Sequence, residues 1–150
     1  MPKKLLLLLS GFMLVTGCGK PLPPDMPKLY PARLTLTQDG KPFEGVMVIA
    51  NNKDAASHYS SGGISDANGV VVLRTHGKYS GVPEGTYSLA LSKREMVLDH
   101  KGETTQFWVI DPKLGTAATS GLEVTVKPPG LKEILDIPVY RRQLTAEETR

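Results

Sequence analysis

From Arg33 onward, apolar residues recur at every second position in short runs, and turn-forming residues separate the runs. No other feature constrains the fold as strongly. An amphipathic helix needs ten or more residues with apolar positions three and four apart. Alternation over five or six residues suits a strand with one face in a core. Leu34 and Leu36 alternate with Arg33, Thr35 and Thr37; Tyr87, Leu89 and Leu91 alternate with Ser88, Ala90 and Ser92. Leu122, Val124 and Val126 repeat the pattern, and Leu135, Ile137 and Val139 close it. Residues 46–50 are apolar throughout, which predicts a strand covered on both faces. Residues 70–73 and 106–110, the latter carrying the only tryptophan, Trp108, read as further strands. About seven or eight strands over roughly 110 residues predict an all-β, antiparallel β-sandwich. Helix is expected only weakly at 93–98 and in the polar tail at 145–150.

Turn chemistry fixes where the strands stop. Asp39-Gly40-Lys41-Pro42 reads as a tight turn with Gly40 at positive φ, and Asp66-Ala67-Asn68-Gly69 as a hairpin turn. Pro83 presets a turn, and Gly85 frees the backbone just before Tyr87. The two longest stretches between confident strands are 51–63 and 76–85. Binding residues in β-sandwiches concentrate on such loops, so Tyr59, His76 and Tyr79 are the candidate binding positions.

Residues 1–17 lie outside this pattern. Lys3 and Lys4 precede an eleven-residue apolar run at 5–15, and the run ends in Val15-Thr16-Gly17-Cys18. Eleven residues are too short to span a hydrocarbon core of about 30 Å as a helix, so the segment reads as an export signal. Of the formal charge of +3, two units belong to Lys3 and Lys4. The rest of the chain is nearly neutral, which argues against a nucleic-acid partner. Cys18 is the single cysteine, so a disulfide within the chain is excluded. Five prolines crowd residues 20–31. They predict an extended tether; the other reading is an ordered arm held by Leu22, Met26 and Leu29. The expected organisation is a signal at 1–17, a lipidated Cys18 with a Pro-rich tether at 18–31, a sandwich at 32–140 and a polar tail at 141–150.

Val15-Thr16-Gly17-Cys18 resembles the bacterial lipobox. The resemblance implies cleavage between Gly17 and Cys18 and acylation of the Cys18 thiol, with the lipid bilayer as partner. The other reading is a plain secretory signal with a chance cysteine. Gly19, where Asp would favour retention in the inner membrane, implies the outer membrane. Four further segments together resemble the transthyretin-like β-sandwich of the carboxypeptidase regulatory-like domain, in the versions found in short bacterial lipoproteins. They are the stretch from Asp39-Gly40-Lys41-Pro42 to Gly45-Val46, Gly63-Ile64-Ser65-Asp66-Ala67-Asn68-Gly69, Gly81-Val82-Pro83-Glu84-Gly85-Thr86-Tyr87, and Thr119-Ser120-Gly121-Leu122 with 124–130. Leu114 departs from the Tyr usual there. The resemblance implies a module without catalysis and without a cofactor, bound to a protein or glycan of the cell envelope.

No constellation in the sequence demands chemistry. His58, His76 and His100 lack metal-ligand spacing, and the Asp66–Gly69 turn lacks the acidic positions of a calcium loop. No G-x-S-x-G context surrounds Ser60, Ser61, Ser65 or Ser80. Tyr140-Arg141-Arg142-Gln143 shares only two positions with the Tyr-Arg-Gly-Ser ending of the hydroxyisourate hydrolases, the enzyme branch of the transthyretin fold. Three readings follow in order: an anchored non-catalytic binding or structural module, an assembly subunit of an envelope secretion or transport complex, and a transthyretin-like hydrolase.

Overall fold

The computed structural model describes residues 21–54, 57–98 and 102–141. The first strands among the described residues are β1 (Leu29–Tyr30) and β2 (Ala32–Gln38), and the chain turns at Asp39-Gly40 into β3 (Lys41–Pro42). It continues through β4 (Met47–Asn52), β5 (Ser61–Ile64), β6 (Val70–Val72), β7 (Arg74–Thr75), β8 (Tyr79–Ser80) and β9 (Val82–Pro83) to the long β10 (Gly85–Ser92). Next come β11 (Arg94–Leu98) and β12 (Thr104–Trp108), a 3-10 turn at Pro112–Gly115, α1 (Ala117–Ser120), β13 (Glu123–Val126) and β14 (Leu131–Asp136).

These strands build the expected β-sandwich. One sheet has the order β13-β10-β4-β5-β7-β8; the other is β14-β2-β3, with β6 also paired to β2. Leu34 and Leu36 of β2 meet Val48, Ala50, Tyr87, Leu89, Leu91, Val124 and Val126 of the opposite sheet in one buried cluster. The chain changes sheets within a single extended stretch. β6 pairs with β2, the buried Leu73 follows, and β7 pairs with β5. The strand ladders are antiparallel except β14 on β2, which run parallel. Residues 39–130 separate these two strands, ample for the crossover that parallel pairing needs.

Several elements depart from the sequence expectations. β4 is covered on one face only. Val46, Val48 and Ala50 are buried, while Met47 and Ile49 stand 46% and 42% exposed on the outer face. The weak helix at 93–98 is instead β11, paired residue for residue with β12, with Arg94 at 4.1 Å over the Trp108 ring. Cross-strand partners outweigh intrinsic helix propensity here. The second half of 106–110 lies beyond β12, although Ile110 is fully buried. Part of the C-terminal motif, Thr119-Ser120, sits in α1, which ends at Gly121 in the left-handed region. Ser120 Oγ donates to the Leu89 carbonyl and pins the helix to β10. The last strand stops at Asp136, leaving Val139 exposed. The Asp66–Gly69 turn joins strands of different sheets rather than closing a two-strand ladder. Asp66 Oδ1 accepts from the Asn68 and Val70 N–H groups, and Gly69 sits at φ 74° with no room for a Cβ against the Leu36 carbonyl.

Strand pairing also begins before residue 32. Leu29 and Tyr30 pair with Pro83 and Val82. The end of the Pro-rich stretch is thus an arm laid on the sandwich. Gly81 makes this possible, because a Cβ there would stand 2.7 Å from the Tyr30 carbonyl.

Candidate functional site

Gly81-Val82-Pro83-Glu84-Gly85-Thr86-Tyr87 organises one end of the molecule. Tyr87 is fully buried. Its hydroxyl donates to the Pro83 carbonyl at 2.9 Å and accepts from Asn52 Nδ2 at 3.3 Å. Burial raises the Tyr87 pKa above 10, and the Asn52 hydrogen bond partly offsets this. The ring therefore locks three segments together: the turn at Pro83, the start of β10 and the end of β4.

Outside this lock lies an open groove of about 340 Å³. Lys28 and Tyr30 of the arm form one wall; Asn52, Asp54 and Tyr59 form the other; Glu84 contributes from the turn. A smaller recess of about 200 Å³ adjoins it at Asn51, Asn52 and His58. The Tyr59 hydroxyl donates to the Asp25 carbonyl at 2.9 Å and ties the loop to the arm. The Tyr59 ring tilts against His76, with centroids 5.7 Å apart. The groove carries charges of both signs and hydroxyl and amide groups, which suits a polar chain such as a peptide or glycan. Among the described residues no group of three or more His, Cys, Asp or Glu is placed to hold a metal ion.

The structure brings Tyr59 and His76 together and places Tyr79 on β8, opposite Thr75 at the edge of the sheet. Gly40 and Asn68 occupy turns, Asp66 and Gly69 bracket the second of these, and Gly85 opens β10; Pro83, expected to preset a turn, instead closes β9 opposite Leu29. Gly17, Cys18 and His100 lie outside the described residues. Lys28, Tyr30, Asn52 and Glu84 are not among the three candidate binding positions read from the sequence. The arm supplies two of them, and its course depends on the distant Gly81.

A second surface projects from the sandwich. Among the described residues β11 and β12 pair with each other and with no other strand. Met96 and Leu98, at 71% and 70% exposure, share one face of this ribbon by alternation, and Val97 is half-exposed on the other. The buried polar side chains, in contrast, serve the fold. Ser65 Oγ donates to the Phe43 carbonyl and accepts from the Val46 N–H. Thr75 Oγ1 donates to the Gly81 carbonyl and lies 3.2 Å from Ser61 Oγ.

No family model matches this chain, and no curated protein does. Among solved structures it is similar to BcpA, the major pilin subunit of Bacillus cereus. A variant of BcpA matches with a TM-score of 0.44 and 19% identity over 77% of this chain and 31% of that one. The unmodified BcpA matches with a TM-score of 0.41 and 18% identity over 73% and 30%. A 9R-lipoxygenase from Cyanothece matches with a TM-score of 0.39 and 13% identity over 74% of this chain and 17% of that one. The chain spans less than a third of the length of each of these structures.

Proposed function

We propose that the protein is a membrane-anchored lipoprotein of the bacterial cell envelope, placed in the outer membrane, with a non-catalytic transthyretin-like sandwich that binds or supports an envelope component. The carrying observation is the ordered series Lys3-Lys4, apolar residues 5–15 and Val15-Thr16-Gly17-Cys18. Acyl chains on Cys18 contribute about 0.8 kcal/mol per buried methylene, enough in combination for stable anchoring. Because Asp25 is already held by the Tyr59 hydroxyl and the chain turns at 23–26, with the Met26 N–H donating to the Pro23 carbonyl, about six residues separate Cys18 from the sandwich. Even fully extended at about 3.1 Å per residue, they hold it no more than roughly 20 Å from the lipid. Two observations support the absence of catalysis. The buried hydroxyls of Ser61, Ser65, Thr75 and Tyr87 are all engaged in holding strands and turns. The groove offers recognition groups of mixed charge on an open surface.

Labelling with radioactive palmitate, followed by membrane flotation, tests the anchor. The wild-type chain should take the label and float, and Cys18→Ala should do neither. Equal labelling of both chains overturns the reading.

The projecting ribbon favours the second reading, an assembly subunit of an envelope complex. Exposed Met96, Val97 and Leu98 suit a protein partner better than a glycan. Crosslinking in intact cells discriminates between the readings. A stoichiometric protein complex lost on M96S/L98S supports assembly. Retention on glycan, abolished by Tyr59→Ala, supports binding in the groove.

A further inference from the structure

The open edge of β14 carries a self-complementary pattern. Among the described residues β14 pairs only with β2, in parallel. In a parallel ladder, alternate residues direct both backbone groups to the partner strand. The Leu131 N–H donates to the Pro31 carbonyl and the Ile137 N–H to the Thr37 carbonyl, so the odd-numbered residues face β2. Lys132, Ile134 and Asp136 therefore direct their N–H and C=O groups to the open side. Their side chains lie on the outer face, where Ile134 is 71% exposed. Thr37 Oγ1 donates to Asp136 Oδ1 at 2.7 Å and steadies that carboxylate beside the edge.

We infer that β14 pairs antiparallel with β14 of a second copy of this chain, about a two-fold axis at Ile134. Lys132 then stands opposite Asp136 of the partner subunit, and Asp136 opposite Lys132 of the partner subunit. Ile134 meets Ile134 of the partner subunit. All three are hydrogen-bonded positions, which gives about six inter-strand hydrogen bonds across the junction. Each charged pair joins opposite signs on one face, as directly opposed cross-strand residues require.

Neighbouring registers fail on the same criteria. Centring on residue 133 sets Glu133 against Glu133 of the partner subunit and Asp136 against a glycine. Centring on residue 135 sets Lys132 against Pro138 of the partner subunit, which has no N–H to give. Lysine and aspartate on an edge strand ordinarily discourage pairing. Here the spacing of four residues turns them into a code that accepts the same strand reversed. The resulting junction joins the two β2–β14 sheets into one continuous sheet.

The test is the mass of the full chain in detergent by sedimentation across a concentration series. A monomer–dimer equilibrium is expected. Asp136→Lys should weaken it about tenfold, because by symmetry the change acts twice. K132D/D136K should restore it, with the charges exchanged. The single variant should keep the wild-type circular dichroism spectrum, which separates loss of pairing from loss of fold. A chain that stays monomeric at every concentration overturns the inference, leaving the edge to some other strand. A dimer indifferent to Asp136→Lys, or a double variant no tighter than the single one, also overturns it. The anchor at Cys18 is untouched by any of these outcomes.

Discussion

Replacing Tyr87 with Phe removes one oxygen from the interior and keeps the ring. The lost hydroxyl donates to the Pro83 carbonyl and accepts from Asn52 Nδ2. Tyr87 is fully buried, so water cannot take the hydroxyl's place without rearrangement. The cost is that of leaving the buried Pro83 carbonyl unpaired, about 1–3 kcal/mol. For a domain of this size each kcal/mol lowers Tm by about 4–8 °C. Urea unfolding followed by tryptophan fluorescence measures the change, with an unaltered m-value as the sign that the fold is intact. The same residue gives a pH signature. Burial raises the Tyr87 pKa above its unfolded value of 10.0, so the folded state holds the proton more tightly. The stability this contributes is fully present below about pH 10 and is lost as pH rises through the folded pKa. The Phe variant should lack that part of the alkaline decline. A loss under about 0.5 kcal/mol, or the same alkaline decline in both proteins, refutes the assignment of Tyr87 as the lock between Pro83 and β4.

Three further outcomes follow from the packing. Gly81→Ala places a Cβ 2.7 Å from the Tyr30 carbonyl at φ 99°. The arm should lift, with faster tryptic cleavage after Lys28 as the readout. Ser65→Ala removes the hydroxyl that holds both Phe43 and Val46, and should cost about 1–3 kcal/mol by urea unfolding. Lys53→Ala breaks the 2.5 Å pair with Glu123, but both side chains are about half exposed. Its effect should stay below about 1 kcal/mol and shrink further with added salt.

The sandwich was legible because its core strands obey a local rule. Alternation in β2, β10 and β13 states which residues face inward, and the buried Leu34, Leu36, Tyr87, Leu89, Leu91, Val124 and Val126 follow it. Asp39 and Gly40 both take positive φ, as a two-residue turn between paired strands demands. Two kinds of feature were not legible. Segments whose state is decided by a distant partner carry no local signature. β11 is exposed along its whole length and is a strand only because 104–108 pairs with it, and β1 exists because Gly81 leaves space. Sidedness in continuous apolar runs is equally hidden. Met47 and Ile49 look like core in sequence, yet the sheet shows them to solvent. The groove falls between these cases. The loops that border it were marked by their length, but its second wall is the arm, read as a tether.

The central claim is an acylated Cys18 carrying this sandwich. Intact-mass spectrometry of the protein extracted from its native membrane tests it most directly. The expected species is a chain lacking residues 1–17 and bearing the added mass of acyl groups on Cys18, whereas the Cys18→Ala form keeps its leader. A mature chain that begins elsewhere, or one with an unmodified Cys18 thiol, contradicts it.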